Sequence, residues 1–281
     1  MRESQQTSVQ SGPRITLARA LRAENLRLRH SRLIPLHLVC ALGAGITCGT
    51  YFAISPWDPA MGSDAFVQLL GAMMPLMAGI ICGLDADAEG TDTAYANLLA
   101  MPSRIRIFTA RVGTLWLRGA LALALAVSTF AVILLLAGRQ TLGLEAWAGA
   151  IAGLAFGSIP LYILFYVLAL RWDRNTAIVV GAIGLLLALF SVGGLAHGLV
   201  TGELTSARIS VLSFLPTSWA ALLGSLPLEL AIAQTATGLA AAGHVTAVLG
   251  IGLCGCLATS LVFSVLAGWW FSRFEARKIE S

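Results

Sequence analysis

The side chains of this sequence that could do chemistry are concentrated in one polar segment between two long apolar runs. The segment begins with four acids within eight positions and ends with three arginines: Asp85, Asp87, Glu89, Asp92, Arg104, Arg106 and Arg111. Carboxylates and guanidinium groups at this density form charge-assisted hydrogen bonds, either with one another or with a charged partner surface. A simple chain reversal does not need so long a charged insert. We therefore interpret segment 85–111 as the place where an external partner acts on the apolar part of the chain.

No other set of residues has the spacing of a known catalytic or metal site. The phosphate-binding pattern G-x-x-x-x-G-K-[ST] is absent and the sole lysine is Lys278, so we expect no ATP site in this chain. The zinc motif H-E-x-x-H is absent too, and we expect no metal or other cofactor. The five cysteines all lie in apolar runs and are interpreted as small buried hydrophobic side chains.

An intramembrane serine protease is one alternative. It would need a serine within hydrogen-bond reach of a base, and Ser158 and Ser191 do not lie in a G-x-S-x-G context. The histidines His37, His197 and His244 fall near predicted helix ends and are interpreted as packing or interfacial residues.

The elements that position these residues are long apolar helices. The chain of 281 residues is 57% apolar and 11% charged, whereas soluble domains carry about 25% charged residues. Several apolar runs exceed the about 18 residues that cross a bilayer. We predict an all-α membrane protein with a tail and elbow helix (1–32), a six-span domain (33–272) and a tail (273–281). The six predicted spans are 33–54, 66–84, 112–137, 147–170, 177–195 and 245–271, with a short turn at 55–64 between the first two.

The distribution of lysine and arginine predicts the orientation of these helices. Fifteen of the eighteen basic residues lie in the N-terminal segment, in the connections after the second and fourth spans, and in the C-terminal tail. The connections on the other side carry two, Arg139 and Arg208. Cytoplasmic loops carry the excess of lysine and arginine, so we expect a multi-pass protein of the cell membrane with both termini in the cytoplasm. The net charge of +4 is explained by this asymmetry, and no nucleic-acid partner is expected.

Two further elements flank the spans. Segment 15–30 is predicted to form an elbow helix on the cytoplasmic leaflet, with Leu17, Leu21 and Leu28 on one face and Glu24 intruding. Between the fifth and sixth spans, Pro227 is expected to separate two short helices, 219–226 and 228–241, in a re-entrant hairpin on the outer side. A plain interfacial loop is the alternative.

The predicted spans are almost free of acids, since Asp85 and Glu229 fall at their edges. Secondary transporters use ionisable groups near the membrane midplane, so ion-coupled transport is the less favoured alternative. Arg118 is the one charge well inside a span; it either reaches back to the inner interface or contributes to a substrate path or a subunit interface. Trp219 and Glu229 are further candidates for such a path or interface.

The pattern within segment 85–111 predicts a short helix that begins near Thr91 and ends at Met101, because Pro102 disfavours helix at the residue before it. Thr91 or Asp92 is assigned as its N-cap. Its apolar side suits a groove on a soluble partner; a helix lying on lipid is the alternative. The residues assigned to this helix and its flanks are Thr91, Asp92, Tyr95, Leu98, Leu99, Met101 and Arg104.

The arrangement Glu89-Gly-Thr, then Asn97-Leu-Leu-Ala-Met-Pro-Ser-Arg104, then Arg111, resembles a signature of the permeases of type-two ATP-binding-cassette exporters. In that family an E-x-G-T-like start precedes a leucine-rich turn, then P-x-R and a basic residue before the third span; Arg111 stands where a lysine is common. The six spans, basic elbow and outer hairpin match as well, so the resemblance covers nearly the whole chain. The short chain and small outer loops resemble the permease subunits of lantibiotic-immunity exporters.

This resemblance implies that two such permeases, identical or paralogous, pair with two ATPase subunits that bind ATP and Mg²⁺. Segment 91–101 would be the coupling helix seated in the ATPase, with Leu98 and Leu99 in contact with it. The chain itself would not be an enzyme. The cargo would be an amphipathic peptide or lipid-like molecule, and export of a lantibiotic-type peptide would give self-protection and antibiotic resistance.

Overall fold

The computed structural model describes residues 16–29, 31–93, 95, 98, 103–191, 195–208, 210–237 and 239–274. All regular secondary structure within these residues is helical, as the sequence predicts. The α-helices in chain order are α1 (Leu17–Leu28), α2 (Leu33–Ile54), α3 (Pro59–Ala72), α4 (Met74–Thr93), α5 (Arg104–Leu136), α6 (Leu144–Arg171), α7 (Arg174–Ser191), α8 (Leu195–Thr201), α9 (Trp219–Ile232) and α10 (Leu239–Ser272). Two 3-10 turns, Thr205–Arg208 and Val211–Phe214, lie between α8 and α9.

Six helical segments among the described residues are long and apolar enough to cross a membrane, which confirms the predicted number. Five of them correspond to the single helices α2, α5, α6, α7 and α10. The sixth, Pro59–Thr91, combines α3 with α4, which meet at Met73. By length and composition the chain therefore has the helices of a multi-pass membrane protein.

The segment that combines α3 and α4 begins earlier than the sequence predicts. Residues 55–64 are expected to form a turn, but α3 begins at Pro59. Asp58 Oδ1 accepts a hydrogen bond from the N–H of Met61 at 2.9 Å, and proline suits the first helical turn because its missing N–H would be unpaired there. Asp64 consequently lies inside a helix and is 2% exposed.

Small residues bring the helices of the bundle into close contact, as is usual for helices in lipid. Gly153 and Gly157 of α6 lie against the backbone of α9, and Gly181 of α7 lies against the backbone of Pro75 in α4. The helix α9 is buried along most of its length, packed mainly on α6 and α3. The helix α9 therefore lies between α6 and α3 inside the bundle.

The segment between α7 and α10 differs from the prediction at Pro227. This proline does not separate two helices, because α9 runs through it from Trp219 to Ile232, and the wider π-helical turn Ala233–Thr237 follows. A proline inside a helix removes one hydrogen bond, here to the carbonyl of Leu223 four residues earlier. The close packing of α9 on α6 holds the helix together across this gap.

The helix predicted at 15–30 is present as α1, and it packs on α5. Ala20 and Leu28 are buried in this contact, whereas Leu17 and Leu21 of the predicted apolar face remain exposed. Only part of the apolar face of α1 is therefore covered by the bundle.

Contacts between helix ends define one end of the bundle, which we call the basic end. There Arg174 at the start of α7 pairs with Asp87 near the end of α4 at 3.0 Å, and Arg104 at the start of α5 donates to the carbonyl oxygen of Phe274 at 2.6 Å. Arg139, just after α5, lies at the opposite end and donates to main-chain oxygens that follow α2. Helix ends predicted to share one side of the membrane therefore meet in space.

Candidate functional site

A buried ion-pair cluster lies at the basic end, near the end of α4 and the start of α5. It consists of Glu24 and Arg27 on α1, Asp85 and Glu89 on α4, and Arg111 on α5, and we call these five residues the basic-end cluster. Arg111 and Glu24 are 87 residues apart in the chain. The cluster therefore joins helices that only the tertiary fold brings together.

The Arg111 side chain is fully buried at the centre of this cluster. Its Nη1 donates to Glu89 Oε2 at 2.8 Å, and its Nε and Nη2 donate to the two carboxylate oxygens of Glu24 at 3.2 and 3.1 Å. Nη1 also lies 3.9 Å from Asp85 Oδ2, which is an ion pair without a hydrogen bond. The rigid planar fork of a guanidinium group can serve several carboxylates in this way, whereas a lysine ammonium cannot reproduce it.

Arg27 completes the cluster from α1. Its Nη2 donates to Asp85 Oδ1 at 2.6 Å, and its Nε donates to Glu24 Oε2 at 2.8 Å. Burial is the largest influence and would by itself lower the pKa of Arg27, but the Asp85 and Glu24 carboxylates together outweigh it and the pKa is raised above its ordinary value. Arg27 therefore stays charged, and three carboxylates face two guanidinium groups.

This geometry suits the cluster to transmit movement among three helices. Removing one partner of a buried ion pair leaves an uncompensated charge and costs about 3–5 kcal/mol. A displacement of α4 that preserves the ion pairs must therefore carry α1 and the start of α5 with it. Segment 94–102 joins α4, which carries Asp85 and Glu89, to α5, which carries Arg111.

Tyr95 and Leu98, the two described residues of segment 94–102, are anchored to the protein by hydrogen bonds and a ring contact. Tyr95 has a φ angle of 63°, in the left-handed region where a non-glycine residue is uncommon, and its N–H donates to the carbonyl oxygen of Glu89 at 3.3 Å. The Tyr95 ring packs edge-on against Phe274, with 5.9 Å between ring centroids. The N–H of Leu98 donates to the Tyr95 carbonyl oxygen at 3.1 Å.

The predicted coupling residues fall in three different settings. Thr91 and Asp92 lie inside the last turn of α4, so neither is the N-cap of a new helix, which corrects that prediction. Leu98, expected to contact a partner, is fully buried within this chain. The side chain of Asp92 and the residues Leu99 and Met101 lie outside the described residues, so their predicted placement stays a prediction.

The remaining candidate residues make contacts inside the chain. Arg104 joins the start of α5 to the end of α10, as described above. Arg118 Nη2 donates to Asn25 Oδ1 at 2.7 Å. This bond is a second link between α5 and α1, about two helical turns along α5 from Arg111. Trp219 and Glu229, both on α9, are buried, so neither lies on an exposed face of this chain.

Two acids to which the sequence pattern assigns no role, Glu24 and Asp64, lie at helix contacts in the structure. Glu24 interrupts the leucine pattern of α1, and an acid on an otherwise apolar packing face indicates a paired base, which proves to be Arg111. The sequence pattern predicts that Asp64 lies in a turn, because the helix that contains it begins at Pro59 and proline is typical of turns.

The residues considered for an intramembrane protease are engaged in separate hydrogen bonds. Ser158 Oγ donates to the carbonyl oxygen of Ala155 in its own helix at 2.7 Å, and His244 Nε2 lies 3.1 Å from the carbonyl oxygen of Ser206. In the part of the chain that the structure describes, no group of three or more His, Cys, Asp or Glu residues is arranged to hold a metal ion. The five cysteines are unpaired.

Comparison with models of known protein families gives no match to this chain, and no curated protein matches its sequence. The functional interpretation therefore depends on the sequence pattern and on the geometry described above.

Proposed function

We propose that this chain is the membrane-spanning permease subunit of a type-two ATP-binding-cassette exporter, driven by ATP hydrolysis in a separate subunit. The observation that carries the proposal is the basic-end cluster, which links α1, α4 and α5 on both sides of segment 94–102 in the chain. Movement applied to this segment reaches three helices through one contiguous set of ion pairs. The resemblance of segment 89–111 to the exporter signature supports the same assignment.

The partner in this proposal is an ATPase that binds ATP and Mg²⁺ and contacts the basic end. Thr91 is exposed there, in the last turn of α4. Asp87 and Arg174 lie beside it with 49% and 43% of their side chains exposed, so they offer charges of both signs to a partner surface. A second permease, identical or paralogous, completes the transport path.

The basic end faces the cytoplasm in this proposal, with both termini on that side. The excess of arginine in the N-terminal segment, at Arg104, Arg106 and Arg174, and in the C-terminal tail supports this orientation. Segment 201–243 then lies at the outer side, and α9 within it is packed on α6 and α3.

The substrate we propose is amphipathic, of the lantibiotic-peptide type, and its export protects the producing cell. The surfaces that the bundle offers are apolar: large aliphatic side chains are exposed along α2, α5 and α10. An apolar cavity between α2, α4, α5 and α6 has His37, Met74, Met77, Leu123 and Tyr162 among its lining residues. Flexible methionine side chains adapt to apolar ligands of variable shape.

Site-specific cross-linking tests the partner. In a cysteine-free background, Thr91→Cys carries a photoreactive cross-linker at the basic end. We expect it to capture an ATPase subunit with a Walker motif, identified by mass spectrometry. The matched control is Val211→Cys, which is 86% exposed beyond the far end of α7 and should capture none. Equal capture at both positions, or no ATPase at Thr91→Cys, would contradict the proposal.

Ion-coupled secondary transport is the second candidate, and one observation favours it. The sequence predicts spans almost free of acids, but the structure places Asp64 inside the segment Pro59–Thr91, buried beside α9 and Glu229. Transport assays in sealed vesicles separate the two candidates. Uptake that requires ATP and persists without an ion gradient supports the permease, whereas uptake driven by a proton gradient alone supports the secondary transporter.

A further inference from the structure

Two carboxyl groups are buried together on the side of the bundle away from the basic end. Asp64 lies on α3 and is 2% exposed, and Glu229 lies on α9 and is 0% exposed. They are 165 positions apart in the chain, but a short chain of hydrogen bonds links them in space. Gln68 Nε2 donates both to Asp64 Oδ2 and, at 2.7 Å, to Thr205 Oγ1, and Thr205 adjoins Ser206, whose N–H donates to Glu229. Neither Asp64 nor Glu229 belongs to the basic-end cluster, and neither has a role in the proposed coupling to an ATPase.

Neutral groups supply all the hydrogen bonds that the structure gives these two carboxyls. Gln68 Nε2 donates to Asp64 Oδ2 at 2.6 Å, and the N–H of Ser206 donates to Glu229 Oε2 at 3.0 Å. Ser225 Oγ donates more weakly to Glu229 Oε1 at 3.5 Å. Asp64 Oδ1 is buried and has no hydrogen-bond partner.

No cation among the described side chains forms an ion pair with either carboxyl. The imidazole of His244 on α10 contacts the carbonyl oxygen of Ser206 instead. Three further acids lie on this side of the bundle, and all are exposed: Asp58 before α3, Glu145 at the start of α6 and Glu203 before the turn Thr205–Arg208. The side chain of Arg208, which ends the adjacent 3-10 turn, lies outside the described residues.

Two ionised carboxylates in such a site would each lose their hydration without gaining a compensating positive charge. The penalty is several kcal/mol for each buried ion, and a buried carboxyl avoids it by keeping its proton. Three of the four carboxylate oxygens already accept protein hydrogen bonds, so Asp64 Oδ1 is the one oxygen left open. A metal ion such as Ca²⁺ needs about six to eight oxygen ligands, whereas a proton needs a single oxygen atom. One open oxygen therefore suits a proton better than a metal ion.

We propose that Asp64 and Glu229 form a proton-binding site between α3 and α9 that holds one proton at neutral pH. The proton belongs to the pair, as in other closely coupled carboxyls. Loss of this proton places two negative charges in the contact between α3 and α9 and weakens their packing. The site thus makes the attachment of α9 and the neighbouring turn Thr205–Arg208 sensitive to pH.

The sign of the pH effect follows from linkage. Burial raises the pKa of Glu229. A carboxyl group with a raised pKa in the folded state stabilises the fold fully below the pKa of the unfolded chain, about 4.3. That contribution is lost as the pH rises through the folded value. We therefore expect the unfolding temperature of the wild-type protein to fall on the alkaline side, and the neutral double variant Asp64→Asn/Glu229→Gln to lose this dependence.

Infrared spectroscopy of the full chain in lipid nanodiscs detects the proton directly. We expect the carbonyl stretching band of a protonated carboxylic acid in the wild-type protein at neutral pH, its disappearance at alkaline pH, and its absence from Asp64→Asn/Glu229→Gln. Each single substitution removes the like-charged neighbour, so the remaining carboxyl should lose its proton at lower pH than the pair does. Asp87→Asn is the control, because Asp87 is exposed and paired with Arg174, and it should leave the band unchanged.

The wild-type protein alone can overturn the proposal, so the result does not depend on the folding of a variant. Labelling of aspartate and glutamate side chains with ¹³C shifts the band and assigns it to a carboxyl group; no such band at neutral pH means that the site holds no proton. Stabilisation of the wild-type protein by Na⁺ or Ca²⁺ at fixed pH, with loss of the band, would identify a cation site instead. Neither result bears on capture of an ATPase at Thr91→Cys, so the two proposals fail independently.

Discussion

Substitution of Arg111 by methionine removes the central cation of the basic-end cluster while keeping a long unbranched side chain. The change leaves Glu89 and Asp85 on α4 without the guanidinium group that lies 2.8 and 3.9 Å from them. Glu24 loses both of its hydrogen bonds to α5 and keeps its pair with Arg27. We expect a large loss of stability and a weaker attachment of α1, which keeps the Arg27–Asp85 ion pair to α4 and the Asn25–Arg118 hydrogen bond to α5.

The magnitude follows from burial. Arg111 and Glu89 have 0% and 2% of their side chains exposed, and breaking a buried pair by removing one partner costs about 3–5 kcal/mol. The matched control is Arg174→Met, which breaks the ion pair with Asp87 at the same end of the bundle. Those side chains are 43% and 49% exposed, and an exposed pair contributes about 0–1 kcal/mol. The two substitutions should therefore differ by at least about 2 kcal/mol, or more than tenfold in the unfolding equilibrium.

Reversible unfolding in mixed micelles with increasing sodium dodecyl sulfate measures this difference, with the fluorescence of the seven tryptophans as the signal. Limited proteolysis within α1 gives a second readout, because Glu24 and Arg27 hold this helix to α4 and α5. Arg111→Lys should restore little of the loss, since an ammonium group cannot match the guanidinium fork. If Arg111→Met and Arg174→Met cost the same small free energy, the cluster does not hold these helices together and our reasoning is wrong.

Two further predictions concern contacts elsewhere in the bundle. Gly153→Ala places a Cβ atom against the carbonyl oxygen of Leu223 in α9. This substitution should lower the free energy of unfolding by about 1–3 kcal/mol. The control is Gly113→Ala, whose Cβ would meet nothing within 4 Å; it should be neutral or stabilise the protein by up to about 1 kcal/mol. Arg118→Gln removes the hydrogen bond that a partly exposed arginine donates to Asn25. It should lower the free energy of unfolding by less than about 1.5 kcal/mol and increase the proteolysis of α1. Unchanged proteolysis would show that this bond does not hold α1.

The helices of the bundle could largely be predicted from the sequence. A run of apolar residues long enough to cross a bilayer is a local property, and six such segments are present in the structure. Helix ends were less predictable, because they depend on single capping groups. Asp58 starts α3 at Pro59, where the pattern indicates a turn, and α4 extends past Thr91, where the pattern indicates a new helix.

The candidate site was predictable only in part. The charged segment 85–111 is visible in the sequence as an anomaly of composition, and it does contain three members of the basic-end cluster. Its partners on α1 are not visible, because Glu24 and Arg27 look like ordinary residues of a basic helix until α1 packs on α5. Leu98 shows the same limit: its apolar character is evident, but its burial within this chain depends on neighbours distant in sequence.

The class of the molecule is evident from the amino-acid sequence. Long apolar runs make six membrane-length helices, and the uneven distribution of arginine divides their connections into two sets. Each of these properties depends on residues that are neighbours in the chain. The pairing of the charged side chains, in contrast, depends on how the helices pack in three dimensions. This packing encloses Arg111 among three carboxylates from two other helices, and it buries Asp64 with Glu229 where no described cation reaches them. Electrostatic energy depends on separation in space and on exclusion of water, and packing alone sets both.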